Sequence, residues 1–156
     1  EPKVEAMPED VVWHFIGHLQ SNKAKRVANL FSVLHTVCNE AQLREIGKSN
    51  RTGLQVFVEV NIAQEARKSG VDEKNLDEIV KMLLNYSNVQ FCGLMTIGPA
   101  LLEPEGMRDY FRRLRDLNQQ VGGKWLSMGM SGDYCVAIQE GSTHVRIGTA
   151  LFGDRR

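Results

Sequence analysis

Along this chain, short apolar runs rich in β-branched and aromatic residues alternate with longer segments of helical period, and that alternation restricts the fold to parallel α/β architectures. The spacing predicts strands over 11–16, 32–37, 54–60, 89–97 and 125–130, with a last one at Val145, Arg146 and Ile147. Helices are predicted over 21–31, 39–47, 77–86 and 105–121, and a helix starts again after each of the last two strands. Two of these segments carry clear apolar stripes. Leu76, Ile79, Val80, Leu83 and Leu84 follow the i, i+3, i+4, i+7, i+8 pattern, and Met107, Tyr110, Phe111, Leu114 and Leu117 line one face with Arg and Asp opposite. Runs such as VFVEV and FCGLM are apolar almost throughout, as expected of strands buried on both faces.

Six strand–helix units with parallel pairing suit a (β/α)8 TIM barrel, although a closed barrel has eight units and typically about 250 residues, against 156 here. The expectation is one barrel domain over 1–156 holding the last six β/α units, with two N-terminal units absent. A smaller doubly wound sheet is the alternative. With 42% hydrophobic residues, the chain has the apolar content for one packed core. Lys plus Arg balances Asp plus Glu at 19 each, so no basic excess points to nucleic acid or to an anionic membrane surface, and no long apolar run suggests a membrane span. The opening Glu1-Pro2-Lys3 is not a signal peptide. Cys38, Cys92 and Cys135, odd in number and far apart in apolar or strand-like surroundings, read as buried cytosolic thiols, with neither a disulfide frame nor a metal site expected.

In a parallel barrel, functional groups come from the C-terminal ends of the strands. After the fifth strand come Ser131, Gly132 and Asp133; after the sixth come Gly148 and Thr149. Each loop leads into a helix. Backbone N–H groups at a helix start attract an anion, glycine lets it approach closely, and Ser131 and Thr149 add hydroxyl donors, so the paired loops outline a phosphate site. Taken singly, such loops also serve as turns and N-caps. Arg146, pointing inward, would be a permanently charged donor beside whatever carries the phosphate.

Other strand ends carry Gly17-His18-Leu19-Gln20, Asn61 and Met95-Thr96-Ile97-Gly98. His18 is the acid/base candidate or a hydrogen-bonded rim histidine, and His14 reads as packing. Asn61 and Thr96 contact a ligand or satisfy backbone groups. Met95, Met128 and Met130 form a lining row or fill the core. Glu59 is the clear strand acid, with the side-chain parity of Asn61. It suits either proton transfer or a buried salt bridge to Arg146.

The motifs WHFIGHLQSNK (13–23), VNIAQEARKSG (60–70), GLMTIG (93–98), LSMGMSGD (126–133) and GSTHVRIGTALFG (141–153) resemble those of the pyridoxal 5′-phosphate homeostasis proteins, the YggS/PROSC family. The resemblance implies a barrel of the alanine racemase N-terminal-domain type that binds pyridoxal 5′-phosphate (PLP) in the cytoplasm. It implies a cofactor carrier or regulator, with PLP-dependent apoenzymes as partners and no established turnover. Carried over by position, Ser131, Gly148 and Thr149 match the phosphate-cradling residues, and Arg146 matches the arginine that faces the pyridine nitrogen. A guanidinium supplies no proton to that nitrogen, which favours binding over carbanion chemistry.

The family's Schiff-base lysine lies in a V-S-K context near the N-terminus and has no counterpart here, so covalent attachment is expected of a longer protein. Lys23 and Lys68 are the lysines that follow strand ends. Lys68 either approaches the barrel mouth or is a solvated loop charge, and no catalytic residue or metal ligand is assigned. Two other readings compete with the carrier. A racemase-like PLP enzyme would need a second acid/base group, commonly Tyr, yet Tyr86, Tyr110 and Tyr134 fall on predicted helices. A phosphosugar barrel enzyme would use Glu59.

Overall fold

The structure, a computed structural model, describes residues 10–66, 68–99 and 102–153. Its strands are β1 (His14–Phe15), β2 (Val33–Val37), β3 (Leu54–Glu59), β4 (Val89–Met95), β5 (Trp125–Met130) and β6 (His144–Arg146). Between and after them run α1 (Ser21–Leu30), α2 (Glu40–Gly47), α3 (Leu76–Leu84), α4 (Arg108–Gln120), α5 (Tyr134–Gln139) and α6 (Thr149–Phe152). Every described strand pairing is parallel, and the strands lie in chain order, β1-β2-β3-β4-β5-β6. A doubly wound sheet reverses its strand order at a switch point. This sheet has no reversal, so the order is that of consecutive barrel units and the doubly wound alternative falls.

The predicted elements are all present, with bounds that tertiary contacts trim. The first strand shrinks from 11–16 to two residues because its ladder is only His14↔Val33 and Phe15↔Leu34, and Val12 and Ile16 stay exposed. The third stops at Glu59, where Val60 bridges to Val71 instead. Residues 105–121 begin with a 3₁₀ turn, Pro104–Met107, before α4, because proline suits the start of a helix and not its interior. Asn39 ends β2's loop by accepting the Gln42 N–H, an N-cap for α2.

Alternation along the strands builds two apolar layers. Val56, Val58, Leu94, Leu126 and Met128 pack outward with the helices, joined by Leu43, Ile46, Val80, Leu83, Phe111 and Leu114. Val33, Phe57, Cys92 and Met95, with Trp125 against them, form a separate inner cluster. The stripe on α3 loses one member: Leu84 is 63% exposed, because eight residues at about 100° each carry it roughly 80° round the helix from Leu76. On α4 the stripe gains Asn118, whose amide accepts the Leu94 N–H and donates to the Gly123 carbonyl. The three cysteines are not all buried. Cys92 is, Cys38 is partly covered, and Cys135 faces solvent because Val136 and Ala137 form the inner face of α5.

Glu140, just after α5, is buried among Arg108, Arg112 and Arg115 of α4, with N–O distances of 2.7, 3.2 and 3.1 Å. This cluster fixes α5, and with it the loop before β6, against α4. Among the described residues no helix is long and apolar enough to cross a membrane.

Candidate functional site

The register Met130↔Arg146 lays the loops after β5 and β6 side by side. The Ser131 hydroxyl oxygen accepts the N–H groups of Gly148 and Ala150 at 3.2 and 3.3 Å. It therefore occupies the position, against backbone donors at a helix start, that suits an anionic oxygen. Asp133 holds the first loop by accepting the Met130 N–H at 2.6 Å. A Cβ at Gly132 or Gly148 would meet nothing within 4 Å, so both glycines border open space. Thr149, the first residue of α6, is exposed beside them. The sequence-predicted Ser131, Gly148 and Thr149 thus come together at one corner of the barrel rim.

Arg146 lies just before that corner and points into the barrel interior. Its Nη1 donates to Ser127 Oγ at 2.9 Å and its Nη2 donates to the Thr96 carbonyl at 2.8 Å, so the guanidinium ties β4, β5 and β6 together. Burial disfavours its charge and lowers its pKa, while Asp133 and Glu59 pull the other way.

Glu59 is buried, yet its hydrogen-bond partner is Ser69 Oγ at 2.7 Å, and the salt bridge to Arg146 is not formed. The reason is the loop after β3. Val71 donates to the Glu59 carbonyl and accepts from Asn61, which folds the loop back and brings Ser69 onto the carboxylate. Desolvation raises the Glu59 pKa, with Ser69, His18 and Arg146 opposing it. Lys68 in the same loop reaches the rim, donating to Glu65 Oε1 at 2.7 Å and to the Gly98 carbonyl at 3.0 Å.

Asn61 and Thr96 serve backbone: Asn61 exchanges hydrogen bonds with Glu65, and Thr96 Oγ1 donates to the Val60 carbonyl. His18 is exposed. The three methionines form no row, since Met95 is in the inner layer, Met128 in the outer one and Met130 is 38% exposed. Tyr110 and Tyr134 lie on helices, whereas Tyr86 falls beyond the end of α3.

Three polar residues inside the barrel were not singled out from the sequence. His35 Nδ1 lies 2.8 Å from Ser127 Oγ, and His35 Nε2 lies 2.9 Å from His14 Nδ1. His35 stacks on Phe57 with ring centroids 4.5 Å apart, and His144 packs edge-on to the same ring. The signal available was parity: His35 alternates with Val33 and Val37, and Ser127 with Trp125, so each is a polar residue in an apolar file.

Burial, with His14, Arg146 and His144 nearby, lowers the His35 pKa from 6.5 to about 3; burial also lowers His14 and His144. A depressed folded-state pKa gives stability that is present above the unfolded value and is lost as pH falls toward the folded one. Urea midpoints should therefore hold above pH 6.5 and fall toward pH 3, with a slope of about 1.4 kcal/mol per pH unit for each histidine forced to charge. Glu59 acts oppositely, stabilising at acid pH and losing that contribution as pH rises, so the series belongs in a Glu59→Gln background. A slope unchanged by His35→Asn would contradict the assignment to His35.

Among the described residues no group of three or more His, Cys, Asp or Glu side chains is placed to hold a metal ion. The profile of the family described as alanine racemase, N-terminal domain, matches residues 6–156. A protein of Aquifex aeolicus named pyridoxal phosphate homeostasis protein is 43% identical over 164 residues, covering 99% of this chain and 72% of the relative. The chain belongs to the pyridoxal phosphate homeostasis protein family. A Vibrio cholerae member with the same name is also 43% identical, and this chain spans 64% of its length. Among solved structures of similar proteins is PipY of Synechococcus elongatus with PLP bound, at TM-score 0.85 and 29% identity over 97% of this chain and 74% of PipY. The alanine racemase of Corynebacterium glutamicum, at TM-score 0.60 and 18% identity, shares the fold. Membership makes the six strands a partial (β/α) barrel of the alanine racemase N-terminal-domain type.

Proposed function

We propose that this protein binds pyridoxal 5′-phosphate at the ends of β5 and β6 and acts in the cytoplasm as a carrier or regulator of that cofactor, delivering it to PLP-dependent apoenzymes. The observation that carries the reading is the corner where Ser131 receives the Gly148 and Ala150 N–H groups beside open space, next to an inward-facing guanidinium. In this reading 1–156 is one PLP-binding domain. Ser131, Gly148 and Thr149 hold the phosphate through hydroxyl and backbone donors at the start of α6. Arg146 meets the pyridine nitrogen with an N–H that it does not give up. When bound, the cofactor supplies an aldehyde that condenses with amines.

The names of the relatives favour the carrier over a racemase. Glu59, the acid a phosphosugar enzyme would need, is already engaged by Ser69.

Ser131→Ala removes a hydroxyl, and Thr149→Val removes another while keeping the branched shape. A hydrogen bond to a charged group is worth about 1.5–3 kcal/mol, so each change should weaken PLP binding about ten-fold or somewhat more. Pyridoxal, which lacks the dianion, should be affected far less. Equilibrium binding of both vitamers to the full-length protein, with release to an apoenzyme acceptor, tests this. Equal losses for the two would remove the phosphate assignment.

A further inference from the structure

Arg146, Ser127, His35 and His14 form a continuous file of hydrogen bonds across the barrel interior, of 2.9, 2.8 and 2.9 Å. Its polarity follows from one end. A guanidinium only donates, so Ser127 Oγ accepts from Arg146. Ser127 is fully buried, and among the described residues its hydroxyl has just two partners, Arg146 and His35, so the one acceptor open to its proton is His35 Nδ1. His35 Nδ1 is then the unprotonated nitrogen, and its Nε2–H donates to His14 Nδ1. His14 is forced into the same tautomer, with its own proton on Nε2.

We propose that His35, acting through Ser127, is a positioning residue for Arg146, and that the guanidinium is presented correctly only while His35 is neutral with its proton on Nε2. This rests on the reading that Arg146 faces the bound cofactor's ring. The Thr96 carbonyl fixes one arm of the guanidinium and Ser127 fixes the other, so loss of the Ser127 contact frees the fork to turn about the remaining bond. Phe57 holds the His35 ring by stacking nearly flat on it, at 14°, which leaves the imidazole little freedom to turn.

Charging His35 breaks the arrangement twice. A second ring proton, on Nδ1, would turn the Ser127 proton away and leave that buried hydroxyl without an acceptor, and the new cation would face Arg146. The other charged or titratable groups around the file are His14 and His144, each ring within 6.0 Å of the others, and beyond Arg146 the carboxylates of Glu59 and Asp133. None of these carboxylates contacts His35 to relieve a positive charge, in accord with the strongly lowered His35 pKa.

The test has a structural arm and a binding arm, both on the full-length protein. Two-bond ¹H–¹⁵N spectra of ¹⁵N-histidine-labelled protein report tautomers directly, without cofactor. Expected are Nε2–H tautomers for His35 and His14 across neutral pH. In Ser127→Ala the His35 tautomers should mix, and affinity for both PLP and pyridoxal should fall about ten-fold, because the ring contact is disturbed and the phosphate corner is not. Ser127→Thr, which keeps the hydroxyl, and His35→Asn, which keeps an acceptor near Nδ1, should restore binding to within about three-fold. His35→Phe should behave like Ser127→Ala.

An Nδ1–H tautomer at His35 overturns the proposal. So does a cofactor absorbance that responds to Arg146→Gln but not to Ser127→Ala. If the tautomers are as expected and neither substitution alters the absorbance, the placement of Arg146 against the ring has failed and the positioning role falls with it. A Ser127→Ala protein that loses its fold is recognised by its amide spectrum, and Ser127→Thr against His35→Phe then carries the comparison.

Discussion

Arg146→Glu should produce the largest change in the behaviour of the bound cofactor. Arginine leaves the pyridine nitrogen unprotonated, whereas a carboxylate beside it favours the protonated, electron-withdrawing ring. Full-length protein carrying this change should show an altered cofactor absorbance and a gain in reactivity toward amino acids. The same substitution removes two charge-assisted hydrogen bonds, to Ser127 and to the Thr96 carbonyl, and sets a carboxylate against that carbonyl in the neighbourhood of Glu59. At about 1.5–3 kcal/mol for each bond, a stability loss of roughly 3–6 kcal/mol is expected. Arg146→Gln, which introduces no charge, should lose stability but not gain reactivity. An unchanged absorbance at full cofactor occupancy in Arg146→Glu would take Arg146 away from the ring.

Gly93→Ala should be among the most destabilising single substitutions in the chain, although it adds only a methyl group. Gly93 sits where β4 shifts register against β3, at φ +149°, a conformation that side chains rarely adopt. A Cβ there would overlap the Trp125 carbonyl oxygen and press on Asn118 Oδ1 at 2.9 Å, the atom that accepts the Leu94 N–H. Backbone strain of about 1–3 kcal/mol and overpacking of a similar size add to roughly 4 kcal/mol. The damage reaches the site, because β4 delivers the Thr96 carbonyl to Arg146. Gly106→Ala is the matched control: its Cβ would meet only Leu102 at ordinary contact distances. The control should change stability by less than about 1 kcal/mol. Urea unfolding of both variants decides it, and a Gly93→Ala midpoint close to the control's would refute the steric account.

The proximity of the two candidate loops was legible because it is local. Ser131, Gly148 and Thr149 follow two strands that are contiguous in sequence, and parallel pairing of those strands suffices to bring the loops together. Glu59 shows where such reasoning stops. Its parity predicted an interior carboxylate, which it is, but its partner depended on the path of the loop after β3, and that path is set by the Val71 bridge. Cys135 and Leu84 were misjudged for a related reason: apolar character at one position does not say which side of a short helix faces the core.

Periodicity and strand-end composition determined the six β/α units, their parallel sheet, the helix stripes and the adjacency of the loops after β5 and β6, because each of these follows from interactions between residues near in the chain or on consecutive strands. The file from His14 through His35 and Ser127 to Arg146 was decided only by tertiary structure. His35 and Ser127 are 92 residues apart, and the parity that marks each as inward-facing does not pair them with one another. Curvature of the sheet turns their alternate faces toward one interior, and there a buried polar side chain must bond to whichever polar group the opposite strands supply.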